Sequence, residues 1–442
     1  MTAPIRLSSA LQLRFTGRVA DLDRASRRLL LDRVTAGDEL IQAQTTAIIR
    51  AVREDGDVAL RRFALEFDGA EVATLAVDMD ICRDALSRLE PALRQAMERA
   101  RDNIATVHRA FHPTSQETET EPGVLIGRRP DPLASAGVYA PGGRAAYPSS
   151  LLMGAVAARI AGVRRVVVCS PPGANGLPSP AVLAAAALAE VDEVFAIGGA
   201  GAIAAMAYGT ATVQPVDVIV GPGNAYVTEA KQQVARWVAT DTPAGPSELL
   251  VIADTHADPA VVAREVLAQA EHDPRAAVIV ICLGQAVATA IADEIIDLLP
   301  SQQRRAIIQE SLMRNGGILL ADSYDEAVEL SGSYAPEHVL LAIGEDRQAG
   351  VLARLRNAGT VFLGQHSSVA FGDYMTGANH VLPTGGLARL RSGLSPFDFV
   401  RWTTYQRVSA HAAASLAPAV AVFADAEGLP AHADAARQWL AS

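Results

Sequence analysis

VRRVVVC (Val163–Cys169), PAVLAAAALAE (Pro180–Glu190), EVFAIGG (Glu193–Gly199), AIAAMAYG (Ala202–Gly209), VDVIVGPG (Val216–Gly223) and NAYVTEAKQQVARWV (Asn224–Val238) follow one another in the middle of the chain. β-Branched runs suited to strands alternate here with Ala-rich runs suited to helices. Strand followed by helix, repeated, implies parallel strands joined by crossovers. A second set extends the pattern: SELLVIAD (Ser247–Asp254), PAVVAREVLAQAEH (Pro259–His272), AAVIVICL (Ala276–Leu283), GGILLAD (Gly316–Asp322), HVLLAIG (His338–Gly344) and GTVFLG (Gly359–Gly364), with helical runs between. The fold class is therefore α/β, with two doubly wound, incomplete Rossmann-like domains.

Outward from this centre, Ala47–Phe67 and Cys82–His108 read as long amphipathic helices, and Ser409–Ala441 as a short helical tail punctuated by Pro418 and Pro430. A tail of that size buries little by itself and is expected to pack on another domain or another subunit. The expected partition is an N-terminal helical extension (1–35), a first α/β domain (36–137 with 246–390), a second on the cofactor side (138–245), and a C-terminal extension reaching the partner (391–442).

At 442 residues the chain exceeds the size at which a single core keeps growing, which supports this multi-domain reading. A formal charge of −11 argues against a nucleic-acid partner, because phosphate binding needs a Lys/Arg excess on one face. Cys82, Cys169 and Cys282 lie far apart with no CxxC pair, and the first thirty residues lack an apolar signal core. Free buried thiols in a reducing cytoplasm are expected. The longest uncharged stretch, Val194–Val216, holds four glycines and Pro215, so it reads as strand, turn and helix rather than as a membrane span.

Titratable and metal-capable residues gather in QAEH (Gln269–His272), YAPEH (Tyr334–His338), DYMTGANH (Asp373–His380) and EGLPAH (Glu427–His432). Such groups are costly to bury unless they bind a metal, a substrate or each other. Asp258 and Pro259 start a helix on which Val262, Val266 and Gln269 continue a buried stripe, and His272 follows on nearly the same face. Both are expected to point inward, either as a hydrogen-bonded core pair or as ligands. Gly372 and Gly377 would let the backbone wrap tightly, with Asp373 offering a hard oxygen or simply capping a turn. Glu427 and His432 could equally be surface residues. Gln269, His272, Asp373 and His432 together make an oxygen and nitrogen ligand set without thiolate, acceptable to Zn²⁺ and also to Mn²⁺ or Fe²⁺.

YAPEH differs in kind. Pro336 holds the approach extended and delivers Glu337 and His338 to the mouth of an apolar strand, where they would suit two proton transfers or form a solvated edge. Two Gly-rich turns, VYAPGGRAAYPSS (Val138–Ser150) and GPGNAYVTEAK (Gly221–Lys231), suit a dinucleotide, the second running from a strand into a helix. A literal GxGxxA at Gly199, Gly201 and Ala204 is discounted, because no acidic residue ends a following strand at the expected distance.

GVYAPGG, YPSSLLM, GPGNAYVTEAK, PAGPSE, QAEH, YAPEH, GDYMTGANHVLP and EGLPAH stand in one order along nearly the whole chain. In that order and spacing the sequence resembles the histidinol dehydrogenase family. The resemblance implies one Zn²⁺ per subunit on Gln269, His272, Asp373 and His432, with His432 supplied by the neighbouring chain of a homodimer that shares its active sites. It implies that Ser247, His380 and Glu427 contact L-histidinol, as do His338 and the metal ligands, and that Glu427 also comes from the partner. Tyr139 and Asn224 match positions that contact NAD, and Glu337 and His338 match the catalytic pair. The implied reaction carries L-histidinol through a bound aldehyde to L-histidine with two NAD. Neutral His338 would take the hydroxyl proton, and Glu337 would activate the water that adds to the aldehyde.

One departure is visible: where the family usually reads GGAQA this chain reads GGAGA, so Gly201 replaces a Gln expected to touch the cofactor. Loss of one hydrogen bond costs on the order of 1 kcal/mol, about fivefold in NAD affinity. The alternative implication is a related zinc- and NAD-dependent enzyme oxidising another polar alcohol to its acid.

Overall fold

The computed structural model describes residues 11–33, 39–142, 146–243 and 245–441. The chain opens with β1 (Phe15–Arg18), α1 (Arg24–Leu31), α2 (Glu39–Asp55), α3 (Asp57–Asp68), β2 (Ala76–Val77), α4 (Met79–Ser87) and α5 (Pro91–Ala110). Gly56 and Pro91 divide the two long helical patterns into these four helices. A hairpin follows, β3 (Gln116–Glu121) and β4 (Val124–Pro132), then β5 (Ser135–Tyr139), α6 (Pro148–Ile160), β6 (Arg165–Ser170), α7 (Pro180–Leu188), β7 (Glu193–Ala196), α8 (Gly199–Tyr208), β8 (Val218–Val220), α9 (Ala225–Val234) and β9 (Ala239–Thr240). The next alternation comprises β10 (Glu248–Ala253), α10 (Pro259–Ala270), β11 (Ala277–Cys282), α11 (Gln285–Leu298), α12 (Arg305–Asn315), β12 (Gly316–Leu320), α13 (Tyr324–Tyr334), β13 (His338–Ala342), α14 (Glu345–Arg354) and β14 (Thr360–Leu363). Last come α15 (Val369–Tyr374), β15 (Val400–Val408), α16 (Ala410–Ala426) and α17 (Pro430–Arg437).

Two parallel sheets result, and both carry the same doubly wound order. In one, β7-β6-β5-β8-β9 run parallel with β2 added antiparallel on β7; in the other, β12-β11-β10-β13-β14 run parallel with β1 added on β12. Numbered along the chain, each core order is 3-2-1-4-5, so the winding reverses between β5 and β8 and between β10 and β13. The second sheet buries both faces: Leu249, Val251 and Ala253 pack under α10–α12, while Leu250 and Ile252 pack under α1, α13 and α14. This explains why its strands read as unbroken apolar runs.

The structure redraws the expected partition in three places. Residues 36–137 do not group with 246–390: Ile49, Val52, Leu60, Met97 and Ile104 share the core of the β5–β9 sheet with Leu152, Val156 and Ile203. The N-terminal extension is not only helical, since Phe15–Arg18 pairs with Gly317–Leu320 as an edge strand. The C-terminal extension contains nine-residue β15, antiparallel to β4 in a separate three-stranded sheet, β15-β4-β3. The three cysteines are free and buried, as expected. No helix of the described residues is long and apolar enough to cross a membrane.

Candidate active site

Helix α13 ends at Tyr334 with Ala335 in the left-handed region (φ 50°), and Pro336 then turns the chain into β13. Glu337 and His338 therefore arrive at the amino end of β13, only 6% and 4% exposed. Both are held by the main chain of Glu248 on the neighbouring strand. The Glu248 N–H donates to Glu337 Oε2 (2.7 Å), and His338 Nδ1 lies 3.0 Å from the Glu248 carbonyl. With a carbonyl partner, Nδ1 carries a hydrogen in either protonation state, so Nε2 is the nitrogen that gains and loses the second proton. That nitrogen lies 4.0 Å from Asp373 Oδ1, and Glu337 Oε2 lies 3.4 Å from Nδ1. Burial pulls the imidazole down, but Glu337, Asp373 and the Glu248 carbonyl outweigh it and push His338 up to about 9. The expected near-neutral histidine is thus a stronger base, because two carboxylates face it in a dry site.

Asp373 ends α15, whose first turn is tied to α10 by the Val369 N–H donating to Glu265 Oε2 (3.1 Å). Beyond it the chain folds back: Gly377 adopts φ +88° where a Cβ would lie 2.4 Å from the Asn103 carbonyl, Asn103 Nδ2 donates to the Met375 carbonyl, and Asn379 Nδ2 donates to the Met153 carbonyl. His380 is thereby set with Nδ1 2.7 Å from the Asp373 carbonyl and Nε2 3.2 Å from Ser150 Oγ. Its pKa is lowered by burial despite Asp373. His338, Asp373, Asn379 and His380 line one cavity of about 10 Å³, room for roughly one water. Ser247 directly precedes Glu248 at the same strand mouth.

Gln269 and His272 part company. Gln269, in the last turn of α10, is 3% exposed. His272 is exposed, contrary to the expected inward pair, because α10 ends at Ala270 and the chain leaves the helical face after Glu271. That end still lies by the site: Glu271, Asp373 and Tyr147 all act to raise Tyr374 beside them, after burial. Glu427 and His432 are exposed at the junction of α16 and α17, a hairpin whose own core is four alanines, and they are not brought to the other site residues within this chain. Among the described residues no three His, Cys, Asp or Glu side chains gather to hold a metal.

The cofactor-side residues occupy the carboxyl edge of the other sheet, at its point of reversal. Tyr139 is 3% exposed, its hydroxyl accepts from the Gly199 N–H (3.0 Å), and burial pushes it up to about 12. Gly221 has φ +114°, and a Cβ there would sit 2.2 Å from the Tyr139 carbonyl, so the GPGN loop presses directly on β5. Asn224 caps α9 through Oδ1 and is exposed. Gly143–Ala145 of the first Gly-rich turn and Ala244 of PAGPSE lie outside the described residues. Gly201 is buried on α8, with Leu60 Cδ2 3.2 Å from where its Cβ would be. Helix α3 thus packs over the position that a longer side chain would leave.

Sequence reasoning missed several neighbours. The discounted Gly199–Ala204 run does stand at a strand-to-helix junction beside Tyr139, and its acidic companion comes from α3. A Cβ on Gly198 would lie 3.2 Å from Asp68 Oδ2, and burial pushes Asp68 up to about 6. Ser150, Asn379 and Glu248 were inside quoted motifs but gave no sign of their bonds. Arg33 carried no signal at all.

With this geometry in place, likenesses to known proteins are informative. A family model described as histidinol dehydrogenase matches residues 31–440. The chain is 45% identical over 411 residues to a histidinol dehydrogenase of Methanothermobacter thermautotrophicus, covering 93% of this chain and 96% of the relative. It is 43% identical over 421 residues to one of Methanosarcina mazei, covering 95% and 96%. A solved structure of histidinol dehydrogenase from Elizabethkingia anophelis superposes with a TM-score of 0.90 at 35% identity, covering 95% of this chain and 96% of that one.

Proposed function

Because this chain belongs to the histidinol dehydrogenase family, we propose that Glu337 and His338, both anchored on the Glu248 peptide, form the acid–base centre at which L-histidinol is oxidised. The enzyme is an NAD-dependent oxidoreductase of histidine biosynthesis that converts L-histidinol to L-histidine. Alcohol to acid is a four-electron change, so two NAD accept hydride in turn and an aldehyde lies between. In the first step His338 takes the hydroxyl proton at Nε2, in the deprotonated form whose Nδ1 hydrogen stays on the Glu248 carbonyl. In the second, the carboxylate oxygen of Glu337 not held by the Glu248 N–H takes a proton from the water that adds to the aldehyde. Once it has released its first proton to solvent, His338 Nε2 accepts the proton of the resulting diol as the second hydride leaves to NAD. His380, fixed between Asp373 and Ser150, and Ser247 are placed at the same strand mouth to hold the substrate.

The donors fit a zinc ion. Gln269, Asp373 and His272 offer two oxygens and a nitrogen without thiolate, a donor set that Zn²⁺ accepts, and Gln269 is held buried at the end of α10. Gln269, His272 and Asp373 would hold it together with His432 of a second copy, and when bound it grips the substrate nitrogens and fixes their orientation. Tyr139 and Asn224 would receive NAD at the carboxyl edge of their sheet. A homodimer is supported by the α16–α17 hairpin, which leaves Val422 71% and Phe423 70% exposed over a core too small to stand alone. Free buried thiols support a cytoplasmic location.

The observation that carries this reading is the single residue, Glu248, whose main-chain N–H and carbonyl touch the two groups of the catalytic pair. Glu337→Gln and His338→Asn are expected to lower NADH production by roughly 10²–10⁴-fold each while zinc content and the melting curve stay unchanged. Wild-type turnover in the double variant would overturn the assignment. Chelation is expected to abolish the two NADH formed per histidinol.

A further inference from the structure

Residue 248 touches both catalytic side chains through its main chain, and its own side chain is tethered in a way that strand pairing does not require. The Glu248 carboxylate is 4% exposed; its Oε1 accepts from Arg33 Nε (2.9 Å) and from the Gly385 N–H (2.9 Å), and its Oε2 accepts from an Arg33 terminal nitrogen (3.1 Å). That same Arg33 nitrogen donates to the Tyr334 carbonyl (2.8 Å), the other donates to the Leu30 carbonyl (3.2 Å), and the guanidinium lies 3.3 Å from the centroid of the Tyr334 ring. One arginine from the N-terminal segment therefore joins β10, the start of YAPEH and, through Gly385, the loop that follows His380. On the β13 side the ladder begins at Leu249–His338, so the Glu248 peptide stands one residue ahead of it.

A planar fork on a buried carboxylate fixes orientation more than it adds stability, since desolvating both ions consumes most of the attraction. We propose that Arg33 and Glu248 are positioning residues for the reaction: they fix the Glu248 Cα and the two peptide groups that flank it, so that the Glu248 N–H meets Glu337 and the Glu248 carbonyl meets His338 Nδ1. The proposal rests on the reading of Glu337 and His338 as the acid–base pair. It goes beyond that reading by assigning part of the rate to a cation far away in sequence that touches no reacting atom. Without the fork the Glu248 main chain, paired with Ala277 on β11 but not with β13, shifts in the strand; His338 Nδ1 then loses its fixed acceptor, and the Glu337 oxygen meant for water turns away.

The test uses Arg33→Met, Arg33→Lys and the double variant Arg33→Met/Glu248→Met, which replaces the ion pair by apolar groups of similar volume. The expected result for Arg33→Met and for the double variant is kcat lowered by about 10²-fold, the scale of a misplacement of about 1 Å. The KM for histidinol and the Kd for NAD, read by fluorescence titration, stay within about twofold, and Arg33→Lys regains part of kcat. The melting temperature of the double variant separates rate from folding. A double variant that melts like the wild type and keeps wild-type kcat overturns the proposal. So does a parallel loss of kcat, NAD binding and melting temperature, which marks a merely structural pair. Glu337→Gln run alongside separates the two readings: its collapse with intact Arg33 variants sinks only the positioning role, and its full activity sinks the acid–base assignment itself.

Discussion

Gly359 lacks a side chain where the backbone of Glu337 needs the space: a Cβ there would lie 2.5 Å from the Glu337 carbonyl oxygen. The same two segments are stitched by the Gly359 N–H to the Pro336 carbonyl (3.0 Å) and the Thr360 N–H to the Glu337 carbonyl (2.9 Å). Gly359→Ala is expected to destabilise the fold by roughly 1–3 kcal/mol, as overpacking does, and to lower kcat further by shifting the Glu337 backbone. Thermal melting and single-turnover kinetics check the two effects separately. Nothing in the string GTVFLG announces this, because the partner lies on a different strand. The glycine of GPGN was legible, since it sits between a strand and a helix where a turn is needed, but its contact with Tyr139 was not. Glu337 and His338 were legible as a pair. Their anchoring through a neighbouring peptide was invisible, because main-chain groups leave no trace in sequence.

Among the elements, the carboxyl ends of β10 and β13 are tied by Asp254. Its Oδ2 accepts from the Tyr324 hydroxyl (2.7 Å) and the Gly344 N–H (3.0 Å), and its Oδ1 from the His256 N–H (2.7 Å). Burial raises this carboxyl, but the hydrogen bonds outweigh it and hold it below the ordinary carboxylate range. A depressed folded pKa means that the stabilisation is present at neutral pH and is lost as pH falls below the unfolded value and through the folded one. Tyr324→Phe removes one donor, so it is expected to cost on the order of 1.5 kcal/mol near pH 7 and to move acid unfolding to higher pH. Circular dichroism during acid titration checks the sign. Elements with strong periodicity, such as α2, α3, β10 and β11, were readable from their apolar spacing. Short β1, with Gly17 inside it, and exposed β3 were not, because they contribute little apolar pattern of their own. The reach of α10 was overestimated by two residues: spacing alone put His272 on its inner face, whereas the helix stops at Ala270.

Across the whole molecule, two sheets of identical winding carry the candidate residues at opposite strand ends, one at its strand mouths by Glu248 and His338, the other at its strand exits by Tyr139 and Gly221. The alternation of apolar runs announced both sheets, but it did not say which core would take α2–α5, since an amphipathic stripe does not name its partner. If His432 serves the neighbouring copy, subunits carrying His338→Asn and subunits carrying His432→Asn are each inactive alone. Mixed and allowed to exchange, half the dimers are hybrids with one intact site, and about a quarter of wild-type activity is expected to return. No recovery after verified exchange would mean that each chain completes its own site. The three thiols offer a separate handle on the same architecture. Cys169 lies in β6 and Cys282 in β11, in different cores, and burial drives both far above the range in which a thiolate forms. A disulfide reagent can therefore reach either only when its own half opens. The two labelling rates act as paired clocks: equal rates mean the halves breathe as one body, and unequal rates reveal which half lets go first.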